Sequence, residues 1–132
     1  MTNKPLVYLA SVYGYPYDDT ITPQIREKRF KLVSKVAGKI IQKSEVDVYS
    51  PVAHSHPIAK YGKIPTHTEY WANYCNRMLG FCDELWILDV ENWDKSHGIK
   101  EEIAYAKVTD KPIKMVTIRG RVYDYEKTKK EL

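Results

Sequence analysis

Along this chain short, nearly continuous apolar runs alternate with stretches whose hydrophobic positions recur with a period near 3.6. Residues 5–11, "PLVYLAS", form an apolar, β-leaning run that ends in the tyrosine- and glycine-rich stretch "VYGYPYDD". Thr22-Pro23 then offers an N-cap and a first-turn proline. Behind it Ile25, Leu32, Val33, Val36, Ala37, Ile40 and Ile41 keep helical spacing, which predicts a long amphipathic helix. A second short strand is predicted at 46–51, "VDVYSP". The following "VAHSHPIAKYGKIP" is so rich in breakers that it reads as a long loop. Thr66-His67-Thr68-Glu69 matches a capping box, and Trp71, Tyr74, Cys75, Met78, Leu79 and Cys82 continue it as a helix. "ELWILDV" (84–90) is apolar throughout its centre, as a strand buried on both faces is. A helix over 98–109, a break at Asp110-Lys111-Pro112 and a strand at 113–118 follow.

Strands alternating with helices imply right-handed crossovers and a mostly parallel sheet of four to five strands within one domain spanning 1–132. Ligands of such sheets bind beyond the carboxyl ends of the strands. Three segments are predicted to converge there: Ser11–Asp19, His54–Pro65 and Val90–Gly98.

Composition narrows the class. With 132 residues, 43% hydrophobic and 29% charged, the chain fits a globular domain with its own core. Apolar runs are far shorter than a bilayer span and no signal-peptide pattern opens the sequence, so no membrane partner is expected. Cys75 and Cys82 lie seven apart on a predicted helix, roughly 10 Å between Cα atoms at about 1.5 Å per residue, too far to bridge. Reduced thiols and a cytoplasmic location follow as expectations. The net charge of +4 is mild and dispersed. Only Arg119-Gly120-Arg121 and the lysine-rich "YEKTKKEL" end resemble a basic patch, so nucleic acid is not the expected partner.

The stretch "SHGIKEEIAYA" (96–106) carries the most chemistry. If Ser96 caps a helix and Gly98 admits a ligand to the backbone, Glu102 lies about one and a half turns in, with Glu101 rotated by roughly 100°. Only one of the two carboxylates can then face the cleft well. By composition alone, both could simply complement the helix dipole.

"VYLAS", "IREKRF", "CDELWILD" and Ser-x-Gly-x-x-x-Glu-x-x-x-Ala, in this order from about residue 6 to 113, resemble the nucleoside 2-deoxyribosyltransferase superfamily, which includes the deoxynucleoside 5'-monophosphate N-hydrolases. "VYSPVAHSHPIAKYG" and "NWDKSHGIKEEIAYA" are similar to a small bacterial and phage branch of it. The resemblance implies a flavodoxin-like (Rossmann-like) three-layer sandwich and places the family's nucleophilic glutamate on Glu102. That residue would attack the anomeric carbon and expel the base, as in retaining glycosidases. It also implies that Tyr8 orients Glu102 and that Asp89 contacts substrate or protonates the departing base. Monophosphate-cleaving relatives carry a further aspartate in the preceding helix, where this chain has "NYCNR" with Asn73, Cys75 and Asn76. Ser96 matches the monophosphate hydrolases, whereas nucleoside-using members tend to have aspartate there. A hydroxyl beside a helix N-terminus suits a phosphate, although serine is equally a good cap.

Ser11, Gly98 and Arg26 complete the expected substrate contacts, with Arg29, Lys95 and His97 as further possible anion contacts. His54 and His56 of "AHSHP" could form a lid over the substrate; a zinc site with His67 lacks a standard ligand spacing, so no metal and no cofactor are expected. Trp93 could stack on a base or cover the core. The expected function is N-glycosidic cleavage, or base transfer, on a nucleoside 5'-monophosphate. The alternative is a module that binds or sequesters a nucleotide in the same pocket without turning it over. The resemblance also implies a homodimer or larger homo-oligomer.

Overall fold

The computed structural model describes residues 3–126. Nine elements follow one another: β1 (Leu6–Ala10), α1 (Pro23–Lys43), β2 (Asp47–Tyr49), α2 (Pro51–Gly62), α3 (Thr68–Phe81), β3 (Glu84–Leu88), α4 (His97–Val108), β4 (Ile113–Val116) and β5 (Val122–Asp124). The five strands form one sheet in the order β2-β1-β3-β4-β5. β1 pairs in parallel with β2 and β3, with Tyr8 opposite Tyr49 on one side and Leu85 on the other. β4 continues the parallel pairing, and β5 returns antiparallel. The fold is α/β and consistent with a Rossmann-like arrangement. Among the described residues no helix is long and apolar enough to cross a membrane.

Strand alternation sorts the core into two clusters. Val7, Leu9, Trp86, Leu88 and Val116 pack with Val33, Val36 and Ile40 of α1 and Val52 of α2. Tyr8, Ala10, Leu85, Ile87 and Met115 pack with Leu79 of α3 and Ile99 and Ala106 of α4. α3 and α4 approach closely at Gly80, where an added Cβ would stand 2.9 Å from the Tyr105 hydroxyl.

The helix caps agree with the sequence at α1 and α4 and differ at α3. Thr22 caps α1, accepting from the Ile25 amide, and Ser96 caps α4, accepting from the Ile99 amide. α3 is capped by His67 rather than Thr66. Nδ1 of His67 accepts from the Tyr70 amide at 3.2 Å, so Glu69 falls at the second helical position and cannot complete a capping box.

The larger correction is α2, which occupies most of the segment predicted as a loop. Pro51 stands in the first turn, where it has no amide to lose, behind the Ser50 cap. Pro57 removes one internal hydrogen bond, but Val52, His56 and Ala59 are buried at helical spacing against the rest of the protein. Packing overrides the local breaker.

The predicted strands are also trimmed. β2 ends at Tyr49 because Ser50 turns to cap α2, and β4 ends at Val116 because Thr117 and Gly120 form a turn, with Gly120 at φ 89°. That turn contains Arg119-Gly120-Arg121, the basic candidate, and leads into β5, which sequence pattern did not predict. Most of the lysine-rich end, residues 127–132, lies outside the described residues. Its first residue, Tyr125, is buried with its ring against Trp93.

Candidate functional site

Beyond the carboxyl ends of β1 and β2 opens a cavity of about 370 Å³. It is lined by the loop after β1, by α2, and by the first turns of α3 and α4. The loop is pinned from beneath, because Nη1 of Arg29 donates to the Tyr13 and Tyr15 carbonyls at 2.7 Å each. Arg29 therefore serves the loop backbone, while Arg26 lines the cavity. Tyr17, another lining residue, adopts φ 68°, a left-handed conformation that a bulky side chain rarely takes. Its hydroxyl accepts from the His97 amide at 2.9 Å and its ring stacks on His97.

α4 presents Ser96, Gly98, Glu101 and Glu102 to the cavity. Both glutamates line it, but in different settings: Glu101 is exposed, whereas Glu102 is half-buried and accepts a short hydrogen bond from the hydroxyl of Tyr8. Tyr8 is fully buried in β1, so its hydroxyl is fixed by the sheet and reaches Glu102 from below. Burial pushes the Glu102 carboxyl up to about 7, the Tyr8 hydrogen bond opposes the rise, and the Glu101 charge adds to it. Tyr8 itself is held well above its ordinary value by burial and by Glu102. Cys75 of α3 lies beside this pair, its thiol pushed up to about 11 mainly by burial.

Ser96 is buried and uses its hydroxyl oxygen to accept from the Ile99 amide at 3.4 Å, which leaves its proton to donate elsewhere. At Gly98 a Cβ would meet nothing closer than Ser96 Oγ at 3.9 Å, so the fold itself does not demand glycine there. The Ser11 hydroxyl is buried at the cavity wall with no hydrogen-bond partner among the described residues. A buried polar atom left so is an invitation to a ligand.

Other candidates are placed elsewhere. Asp89, at the end of β3, accepts from the Tyr123 hydroxyl and is not among the cavity-lining residues. Trp93 is buried in the cluster that includes Tyr8 and Leu85, not on the cavity wall. His54 and His56, two apart on a helix, diverge by about 200°. His54 stacks on Tyr74 at 5.3 Å and shares a 3.1 Å hydrogen bond with its hydroxyl, outside the cavity lining. His56 is buried at the cavity wall with both ring nitrogens engaged: Nδ1 with the Tyr13 hydroxyl at 2.6 Å, Nε2 with Glu27 at 2.9 Å. Neither is a loop lid. Among the described residues no three His, Cys, Asp or Glu side chains group as a metal site.

A family model for a domain of unknown function, DUF1937, matches residues 5–118. The chain belongs to that family. No curated protein matches it. The matched span of this DUF1937 domain takes in β1 with Tyr8, all the cavity-lining segments and α4 with Glu102.

Sequence reasoning missed Tyr13, Glu27 and the cavity-facing stripe of α3. The stripe, Thr68, Trp71, Ala72 and Cys75, had a legible helical period, but period alone does not tell a cavity face from a core face.

Proposed function

We propose that this domain is a flavodoxin-like three-layer sandwich that cleaves, or transfers across, the N-glycosidic bond of a nucleoside 5'-monophosphate. Glu102 is the nucleophile. The observation that carries the reading is a half-buried carboxylate at the wall of a nucleotide-sized cavity, hydrogen-bonded by a fully buried tyrosine and with its pKa near neutrality.

A Glu102 oxygen attacks the anomeric carbon, the bond to the base breaks, and its electron pair leaves on the base nitrogen, which takes up a proton. Water, or a second base, then attacks the same carbon, and the pair of the sugar–Glu102 bond returns to the carboxylate. Tyr8 holds Oε2 and so aims the other oxygen, Oε1, as the attacking atom. The phosphate would lie at the start of α4. There the His97 amide is already taken by Tyr17, so the Ser96 hydroxyl and Gly98 amide, with Arg26 nearby, are the available donors. A homo-oligomer belongs to the same reading.

The test is incubation with a panel of nucleosides and 5'-monophosphates, followed by chromatography for free base. Expected are base release from a monophosphate and, with a 2-fluoro sugar analogue, an intact-mass increase equal to one glycosyl group. Tight nucleotide binding without base release would favour the binding module instead.

A further inference from the structure

The sequence left open which group handles the proton of the departing base. Asp89 is bonded to Tyr123 outside the cavity lining, and α3 offers asparagines and the Cys75 thiol in place of a carboxyl. One chain of groups at the cavity wall has the required construction. We propose that Tyr13, His56 and Glu27 form a proton relay whose cavity end, the Tyr13 hydroxyl, gives a proton to the departing base and takes one from the incoming water. The proposal rests on the glycosidic reading above.

His56 is fixed on every side. Phe30 stacks on its ring at 4.6 Å and 25°, Tyr13 meets Nδ1 at 2.6 Å, and Glu27 meets Nε2 at 2.9 Å. Glu27 also accepts from Lys60 at 3.2 Å. Its carboxyl is held below the usual range first by the His56 hydrogen bond and then by Lys60, so it is ionised at neutral pH. An ionised acceptor requires Nε2 to carry a hydrogen, which leaves Nδ1 as the exchanging atom. This is the orienting logic of a carboxylate–histidine pair, with a tyrosine as the outer member. Burial raises Tyr13, the cavity-lining Arg26 opposes the rise and Glu27 adds to it; the remaining charged groups of the lining are Asp18, Asp19, Glu101 and Glu102. Tyr13 stays a neutral hydroxyl and works as a conduit.

Two forms of the relay present opposite faces. With His56 as imidazolium, Nδ1–H donates to the Tyr13 oxygen and the Tyr13 hydrogen is free for the cavity. With His56 neutral, Tyr13 donates to Nδ1 and offers the cavity a lone pair. In the first step Tyr13 gives its proton to the base nitrogen and recovers one from Nδ1. In the second, a water proton passes to Tyr13 while the Tyr13 proton returns to Nδ1, as the water oxygen displaces Glu102 from the sugar. Over one cycle the relay is unchanged and one water has been added across the glycosidic bond.

The experiment compares wild type, Tyr13→Phe and Glu27→Gln on a turned-over monophosphate and on a 2-deoxyribosyl 5-phosphate whose leaving group, 4-nitrophenolate, needs no proton. Circular dichroism melts verify that each variant folds. In Tyr13→Phe, monophosphate turnover should fall by about 10²- to 10³-fold. Its initial burst of nitrophenolate should stay within about threefold of wild type, and azide, which needs no base, should speed the slow phase and yield a glycosyl azide. Glu27→Gln, acting through His56, should lose about tenfold with the same azide rescue. The relay is overturned if Tyr13→Phe matches wild type on the monophosphate, or if burst and turnover fall together without azide rescue. Wild type silent on both substrates would remove the glycosidic reading itself, and the relay with it.

Discussion

Two glutamates border the same region and are built in opposite ways. Glu102 on α4 is half-buried, its carboxyl desolvated and met among the described residues by the Tyr8 hydroxyl alone, and that carboxyl rises to about 7. Glu27 on α1 keeps part of its surface in solvent and is held by His56 and Lys60, so its carboxyl drops below the ordinary value. The difference is the physics of dividing labour between two chemically identical groups. Desolvation keeps one carboxylate reactive and close to protonation, while paired donors keep the other ionised and stationary.

The largest effect should come from deleting the reactive member. Glu102→Gln keeps the shape and removes the attacking oxygen's charge, and base release should fall by about 10³-fold or more. Glu101→Gln, at an exposed neighbour, should stay within about threefold. Chromatographic rates for the two variants provide the check, and equal behaviour would dissolve the distinction between these adjacent carboxylates.

A second prediction concerns stability. The Glu102 carboxyl is raised in the folded protein, so the folded state holds that proton more tightly than the unfolded chain does. The associated stability is fully present below about 4.5 and is lost as pH rises to about 7. The loss is at most about 3 kcal/mol. Glu102→Gln has no such proton to lose, so it should become progressively more stable than wild type between pH 4.5 and 8. Urea unfolding of both proteins across that range measures the widening gap; parallel curves would mean that Glu102 is not desolvated.

The third prediction addresses the α4 N-terminus. Ser96→Asp would set a carboxylate against a bound phosphate in a buried position where screening is weak, while a free nucleoside's 5'-hydroxyl could donate to it. The ratio of kcat/KM for a monophosphate over its nucleoside should drop by about 30-fold, or roughly 2 kcal/mol. An unchanged ratio would leave Ser96 as a helix cap only.

The α4 wall was readable because its chemistry is local: a capping serine, a glycine the fold does not need, and a glutamate six residues on all lie in one stretch. β1 and β3 were readable because each is a short run of core residues. The α2 wall was not. Its two prolines and two histidines argue for a loop, although Val52, His56 and Ala59 already carry the helical spacing that packing exploits. His56 meets partners 29 and 43 positions away, so only the folded sheet brings Glu27 and Tyr13 to it. β5 escaped notice because three residues carry too little pattern, and its existence depends on Gly120 turning the chain back onto β4.

The smallest expected effect belongs to Tyr8. Among the described residues its hydroxyl is the one donor on the reactive side of the comparison, and the hydrogen bond lowers a carboxyl that burial raises. Tyr8→Phe removes that donor and keeps the ring against Tyr49. Two consequences follow with definite signs. The carboxyl should rise further above 7, so the acidic limb of the kcat/KM profile, which requires an ionised nucleophile, should move to higher pH. Turnover should also fall on the alkaline plateau, where Glu102 is fully ionised in both proteins, because its attacking oxygen is no longer aimed. One hydrogen bond to a charged group is worth about 1.5 kcal/mol, or roughly tenfold in kcat, with KM changed far less. Measuring the whole profile separates the two consequences. A shifted limb with an undiminished plateau would reduce Tyr8 to tuning the proton affinity of Glu102. A lower plateau with an unmoved limb would mean that the hydrogen bond aims the carboxylate without stabilising its charge.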